Sequence, residues 1–203
     1  MKKAIVKRLF VSIVLALGAT ALSAQTHWSY TSGTYPKDMR IFFELKKKDV
    51  VLDLDDYEVA AFIGDVCRGI ATKESQVVDA STIYYGRIQI EAEPAEEGAA
   101  ITFKAYDKAT AKEIGITTDI AYTFTADATI GTLSNLKQLK LLIKGDVNGD
   151  ENITAEDALL VLQHVAKKIT LTANQIEVGD MNGDGKITEH DASLILQTIV
   201  GEN

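Results

Sequence analysis

The pattern of apolar and polar positions changes character once along the chain. From Met39 to Ile143 it is short-period. MRIFFEL, YEVAAFI, VCRGIAT, IYYGRIQIE, AITFKAYD, IAYTFT and QLKLLI are runs rich in β-branched and aromatic residues, parted by turn-like LDLDD, GD, EAEPAEEGA and DKATAKE. In AITFKAYD, alternation puts Ile101, Phe103 and Ala105 on one face and Thr102, Lys104 and Tyr106 on the other, as a half-buried strand requires. About seven strands with no long helical period predict an antiparallel β-sandwich over residues 26–143, with a barrel as the alternative. Past Ile143 the pattern becomes loop, helix, linker, loop, helix, so a boundary is expected near Lys144.

The first residues have a third texture. A basic start (MKKAIVKR), an apolar run (LFVSIVLALGATAL) and the small residues of ALSAQ read as a signal peptide over 1–24, removed on export. The run is short for a membrane span, and no second apolar segment approaches spanning length. A secreted or cell-surface protein is therefore expected. The single cysteine, Cys67, leaves no intrachain disulfide, and its strand-like surroundings (FIGDVCRGIA) read it as a small apolar side chain rather than a nucleophile. Stability must then come from packing, or from metal.

Charge sharpens the division. Residues 145–203 hold eleven Asp/Glu and three Lys, a net of −8, while residues 1–144 balance eighteen of each sign. The C-terminal block carries the whole imbalance, which argues against nucleic acid or an anionic membrane as its partner and for cations.

That block is written twice. GDVNGDENITAEDALLVLQHV, starting at Gly145, returns thirty-four positions later as GDMNGDGKITEHDASLILQTI, and residues 146–166 and 180–200 agree at eleven of 21 positions. Asp146, Asn148, Asp150 and Asp157 match Asp180, Asn182, Asp184 and Asp191 at loop positions 1, 3, 5 and 12, the ligand spacing of an EF-hand-type calcium loop. Calcium takes six to eight hard oxygens, and a tight loop can aim alternate side chains at one point. Position 7 (Asn152, Lys186) offers a backbone carbonyl, and position 9 (Thr154, Thr188) ligates directly or through water. Ile153 and Ile187 at position 8 point away, where they can pair across the loops. A position-12 carboxylate opening a helix also suits the helix dipole. Two bound calcium ions are expected. Position 6 is Gly185 in the second loop but Glu151 in the first, where glycine would relieve the sharp turn.

No amphipathic helix precedes the first loop, which follows directly on strand-like KLLIKG, and position 12 is Asp rather than the longer Glu. With its D-x-N-x-D…D loops and apolar helices, the segment resembles a type I dockerin module over residues 145–201. The resemblance implies a calcium-dependent plug that docks into a cohesin domain, anchoring secreted enzymes or binding proteins in cellulosome-like, polysaccharide-degrading assemblies. It also implies that positions 10 and 11 and the helix after them carry partner specificity: Ala155, Glu156, Glu189 and His190, with Leu159, Leu160, Leu162, Gln163 and Leu194. The clostridial versions favour Ser and Thr at positions 10 and 11 and basic residues where this chain has Leu162 and Gln163, so a different cohesin is implied. At about 100° per residue, Ala158, Val161, Leu162 and Val165 share one apolar face, while Leu160 and its counterpart Leu194 lie off it. A small helical unit with apolar residues on more than one side needs either packing within the pair or a partner, and a partner is the reading taken.

Residues 26–143 hold no catalytic constellation. Their one histidine is His27, so Ser–His–acid or Cys–His chemistry has little to work with. Carboxylate pairs for glycoside hydrolysis can be drawn from Asp55, Asp56, Glu58, Glu91 and Glu93, though turns and strand ends are where solvated acids usually lie. A non-catalytic module is the reading, with a small glycan-active hydrolase as the minor alternative. DYEVAAFIGDVCRGIA and ITFKAYDKATAKE are similar to a β-sandwich module recurrent in secreted proteins of anaerobic gut-type bacteria. Trp28, Tyr30 and Tyr35, joined by Tyr84 and Tyr85, are candidates for a sugar-stacking platform, with a cover over the end of the core as the favoured reading. Arg68 reads as a buried, paired arginine.

Overall fold

The computed structural model describes residues 26–201. The expected signal peptide lies outside them. Among the described residues no helix is long and apolar enough to cross a membrane.

Residues 37–141 form a strand-rich module of eleven strands: β1 (Lys37–Lys47), β2 (Val50–Val51), β3 (Tyr57–Ile63), β4 (Val66–Ile70), β5 (Thr72–Val78), β6 (Ser81–Ala92), β7 (Ala100–Asp107), β8 (Lys112–Thr118), β9 (Tyr122–Thr123), β10 (Thr129–Ile130) and β11 (Lys137–Leu141). They make one hydrogen-bonded path, β4-β3-β7-β8-β11-β1-β6-β5, with β2 and β10 also on β1 and β9 on β7. The path curls into two layers because β8 serves both. Its first half, Lys112–Gly115, pairs with β7, and its second half, Ile116–Thr118, pairs with β11. The inward faces of the layers meet in one core built on Met39, Ile41, Phe43, Val59, Ile88, Ile90, Phe103, Phe124 and Leu139. Alternation places these side chains: in β7, Ile101, Phe103 and Ala105 are buried while Thr102 and Lys104 are exposed.

Two corrections apply to the expected sandwich. There are eleven strands rather than about seven, and they are not all antiparallel, since β10 and β11 run parallel to β1. Two of the strands missed by the sequence reading have physical reasons. β5 (TKESQVV) is an edge strand with no buried position, so it has no apolar stripe. β8 (KEIGITT) changes partner midway, which breaks its alternation.

The chain leading into β1 is tied down by two carboxylates. Glu58 accepts the amides of His27 and Trp28, both at 3.1 Å. Buried Glu91 accepts the Gly33 amide at 2.8 Å, the Ser32 hydroxyl at 3.0 Å and the Tyr35 amide at 3.3 Å. Burial alone would push the Glu91 carboxyl up, but these donors outweigh it and hold it below the usual range. A group with a depressed folded pKa contributes stability above its unfolded value, about 4.3, and that contribution is lost as pH falls through the folded value. Glu91→Gln should therefore cost about 2 kcal/mol at pH 7, in the range for hydrogen bonds to a charged group. The gap to wild type should close below about pH 4, in denaturant titrations at a series of pH values. A gap that is constant with pH would count against it.

The C-terminal module has three helices, α1 (Ala155–Val165), α2 (Ala173–Gly179) and α3 (Glu189–Gly201). The segment between the repeats, expected to be a linker, contains α2. Its N-cap is Thr172, whose hydroxyl accepts from Gln175 N while the Gln175 side chain accepts from Thr172 N. A second core gathers Val147, Ala158, Val161, Leu171, Val178, Ala192 and Ile195, and Ile153 and Ile187 pack against it.

Candidate functional site

The two acidic loops share one hydrogen-bond pattern. In the first, Asp146 accepts the amides of Gly149 (2.9 Å), Asp150 (3.1 Å) and Glu151 (2.9 Å). In the second, Asp180 accepts those of Gly183 (2.9 Å), Asp184 (3.2 Å) and Gly185 (2.8 Å). The Asn148 and Asn182 side-chain oxygens each accept the amide two residues on, at 2.9 Å. The amides of Asn152 and Lys186 donate to Asp150 and Asp184, at 2.8 and 2.9 Å. At position 12, Asp157 accepts from Val147 N (2.8 Å), Asn148 N (2.9 Å) and Thr154 N (2.8 Å). Asp191 does the same with Met181 N, Asn182 N and Thr188 N. Each position-12 carboxylate thus ties the start of its loop to the start of its helix. Thr154 and Thr188 cap those helices, accepting from Glu156 N and His190 N.

This geometry concentrates negative charge away from water. Asp157 and Asp191 are fully buried, and Asp146 and Asp180 nearly so. Burial pushes the Asp146 carboxyl up against the pull of the Glu151 and Gly149 amides, and the charges of Asp157 and Asp150 add to the rise. Among the described residues no three Asp, Glu, His or Cys side chains converge closely enough to hold an ion by themselves. The donors in each loop are nevertheless all oxygens: three carboxylates, an amide oxygen, a hydroxyl and a peptide carbonyl. That set fits a hard divalent cation such as calcium and would relieve the crowding around Asp146. At position 6, Glu151 adopts φ +69° and Gly185 φ +78°, so the first loop accepts left-handed backbone, costing about 1–2 kcal/mol, where the second uses glycine.

Of the residues implied in docking, Ala155, Glu156, Glu189 and His190 lie exposed at the starts of α1 and α3, and Gln163 and Leu194 are half-buried. The expected apolar face of α1 is corrected in one respect. Ala158 and Val161 are buried, but Leu162 is 40% exposed, whereas Leu160 packs partly into the core. α1 and α3 pack on each other and consume the Ala158–Val161 stripe. That leaves Leu159 (52% exposed) and Leu162 outside, with Leu196 (44%) and Val200 (74%) on α3. Leu196 lies outside the expected docking residues, although the 34-residue offset makes it the counterpart of Leu162. His164 has a local task, its Nδ1 accepting from Leu171 N at 3.2 Å.

The three N-terminal aromatics do not share a platform. Trp28 packs edge-on against Phe62 (centroids 5.7 Å apart), and the Tyr30 hydroxyl is buried. Tyr35 lies under the Arg68 guanidinium at 3.9 Å, and Arg68 is also paired with Glu96. An open cleft of about 660 Å³ lies elsewhere, beside Tyr84, Tyr85, Asp53, Asp55 and Lys73. Tyr84 is 59% exposed there, with the Lys73 ammonium 5.1 Å from its ring centroid. Of the candidate acids for hydrolysis, Glu58 and Glu91 hold the N-terminal segment and Asp55 pairs with Lys73 at 2.6 Å. Burial pushes the Cys67 thiol up, the Glu58 charge adding to it, which disfavours the reactive thiolate.

Comparison with known families matches residues 144–200 to the type I dockerin domain. Dockerins of this type bind calcium and dock onto cohesins, and the domain is a docking module rather than a catalytic one. Neither the curated proteins nor the solved structures give a match to the chain.

Proposed function

We propose that this is an exported, non-catalytic protein whose C-terminal dockerin folds around two calcium ions and attaches the β-sandwich to a cohesin-bearing scaffold. The setting proposed is a polysaccharide-degrading or cell-surface assembly. The first ion would be held by Asp146, Asn148, Asp150, the Asn152 carbonyl, Thr154 and Asp157. The second would be held by Asp180, Asn182, Asp184, the Lys186 carbonyl, Thr188 and Asp191. The observation that carries the docking reading is the pair Leu162 and Leu196, exposed at equivalent positions of the two repeats. Apolar side chains left on the outer face of a helix can serve as anchors for a partner's groove. Leu162→Arg with Leu196→Arg should weaken binding to a cognate cohesin by about 2 kcal/mol or more, roughly thirtyfold, in calorimetric titration, with the calcium-loaded fold intact by circular dichroism. Undiminished affinity in the double variant would move the docking face elsewhere.

A second reading is favoured by the Tyr84 cleft. An exposed ring flanked by carboxylates and an ammonium can stack on a sugar and hydrogen-bond its hydroxyls, so the sandwich would bind a polysaccharide chain. In affinity electrophoresis of the full chain through soluble polysaccharides, Tyr84→Ala should reduce retardation about tenfold, and Trp28→Ala should not. Migration unaffected by every polysaccharide tried would end this reading.

A further inference from the structure

The two acidic loops differ most in what leads into them. α2 ends at Gly179 and its C-cap is Asp180, so the second loop is launched from a helix. The first loop has no such helix. It is reached directly from β11 of the sandwich through Leu142, Ile143 and Lys144.

The contact is tight and directional. Leu142 donates its amide to Gly115 O on β8 at 2.9 Å, while its side chain packs into the dockerin core. Gly115 in turn donates its amide to the Glu177 carboxylate of α2 at 2.8 Å. A Cβ at Gly115 would lie 2.6 Å from a methyl carbon of Leu142 and 2.7 Å from both Glu177 carboxylate oxygens, so a larger residue here would oblige these two seam side chains to shift. Lys144 donates to Glu177 O at 2.8 Å, and Gly145 donates to Val178 O at 2.8 Å. On the far side of the seam, Lys140 of β11 is paired with Glu151, the loop residue in the left-handed conformation. Glu151 therefore does something Gly185 cannot: it fastens the turn of the first loop to the sandwich.

We propose that the sandwich is the leading element of the first calcium loop, and that Lys140 and Glu177 are positioning residues coupling the two modules into one calcium-ordered unit. This rests on the calcium reading of the loops. If ordering of the first loop and closure of the seam favour one another, each must stabilise the other by the same amount.

Amide hydrogen exchange on the full chain, with calcium and with EDTA, tests this. In the wild type, calcium should slow exchange of the Gly115 and Leu142 amides about tenfold, alongside the loop amides of Gly149, Glu151, Gly183 and Gly185. Lys140→Met with Glu177→Ala should abolish the calcium effect at Gly115 and Leu142. The loop amides should stay calcium-protected, and the β3–β7 amides should exchange as in wild type, which excludes general loosening of the sandwich. Lys140→Arg with Glu177→Gln keeps the cation and an acceptor and should retain the coupling. Loops that respond to calcium while Gly115 and Leu142 do not, or a Met/Ala variant that keeps the response there, would overturn the proposal. If the loops themselves gain no protection, the calcium reading falls and this inference falls with it.

Discussion

With Asp146 and Asp180 both replaced by alanine, calcium should no longer raise the melting temperature of the dockerin. Each of these carboxylates does two things that substitution separates. It builds its loop, accepting three successive amides at 2.8–3.2 Å, and it supplies charge to a buried acidic group. An ion at a hundred times its dissociation constant stabilises the folded state by about 2.7 kcal/mol, and two ions by about twice that. For a unit this small, each 1 kcal/mol moves the midpoint about 4–8 °C, so wild type should gain roughly 20 °C or more between EDTA and saturating calcium. The alanine pair should gain nothing and should also melt lower in EDTA, because the loop amides lose their acceptor. Asp146→Asn with Asp180→Asn keeps an acceptor oxygen but not the charge, so its melting point in EDTA should stay closer to wild type while most of the calcium response goes. Circular dichroism at helical wavelengths follows the transition, since the described α-helices, α1, α2 and α3, all lie in the dockerin. Wild-type scans that superimpose with and without calcium would refute the metal reading.

Why the dockerin was easier to read than the sandwich follows from where the determining contacts lie. In each loop, Asp, Asn and Thr bond to backbone no more than ten positions away, so spacing alone carries the geometry. Leu196 was equally within reach, one repeat length beyond Leu162, and α2 was announced by Thr172 and Gln175 at capping-box spacing, though its seven residues are too few for a visible apolar period. The sandwich depends on distant partners. Nothing local in QLKLLI says that β11 lies parallel to β1, pairing Phe43 with Lys137 across more than ninety positions. The N-terminal aromatics show the same limit. Trp28 and Tyr35 have the composition of a sugar platform, but Phe62 and Arg68, distant in sequence, cover them. Conversely, the Tyr84 cleft joins β6 to the β2–β3 and β5 segments, which no single stretch of sequence displays.

Gly69→Ala should destabilise the sandwich by about 3–4 kcal/mol, far more than one methyl group ordinarily costs. Gly69 sits in β4 opposite Ala61, next to the point where the β3–β4 register shifts, and β4 there crosses β6 of the other layer. A Cβ at this position would lie 2.0 Å from the Gln89 carbonyl oxygen and 3.0 Å from its carbon. The obstruction is backbone, held in the β1–β6 ladder through Arg40 and Gln89, so no side chain can swing aside. Relief requires the two layers to part where Ile88 and Ala61 are fully buried, which opens core packing as well as straining β4. Gly64 supplies the contrast. It has φ +58° and nothing within 4 Å of its Cβ position, so Gly64→Ala should cost only the left-handed strain, about 1 kcal/mol. The only tryptophan, Trp28, packs on Phe62 of β3, so its fluorescence in urea follows the sandwich. Equal midpoints for the two alanine variants would mean that the layers are not in backbone contact at Gly69. A large, calcium-independent gap between them would place the closure of the curled sheet there.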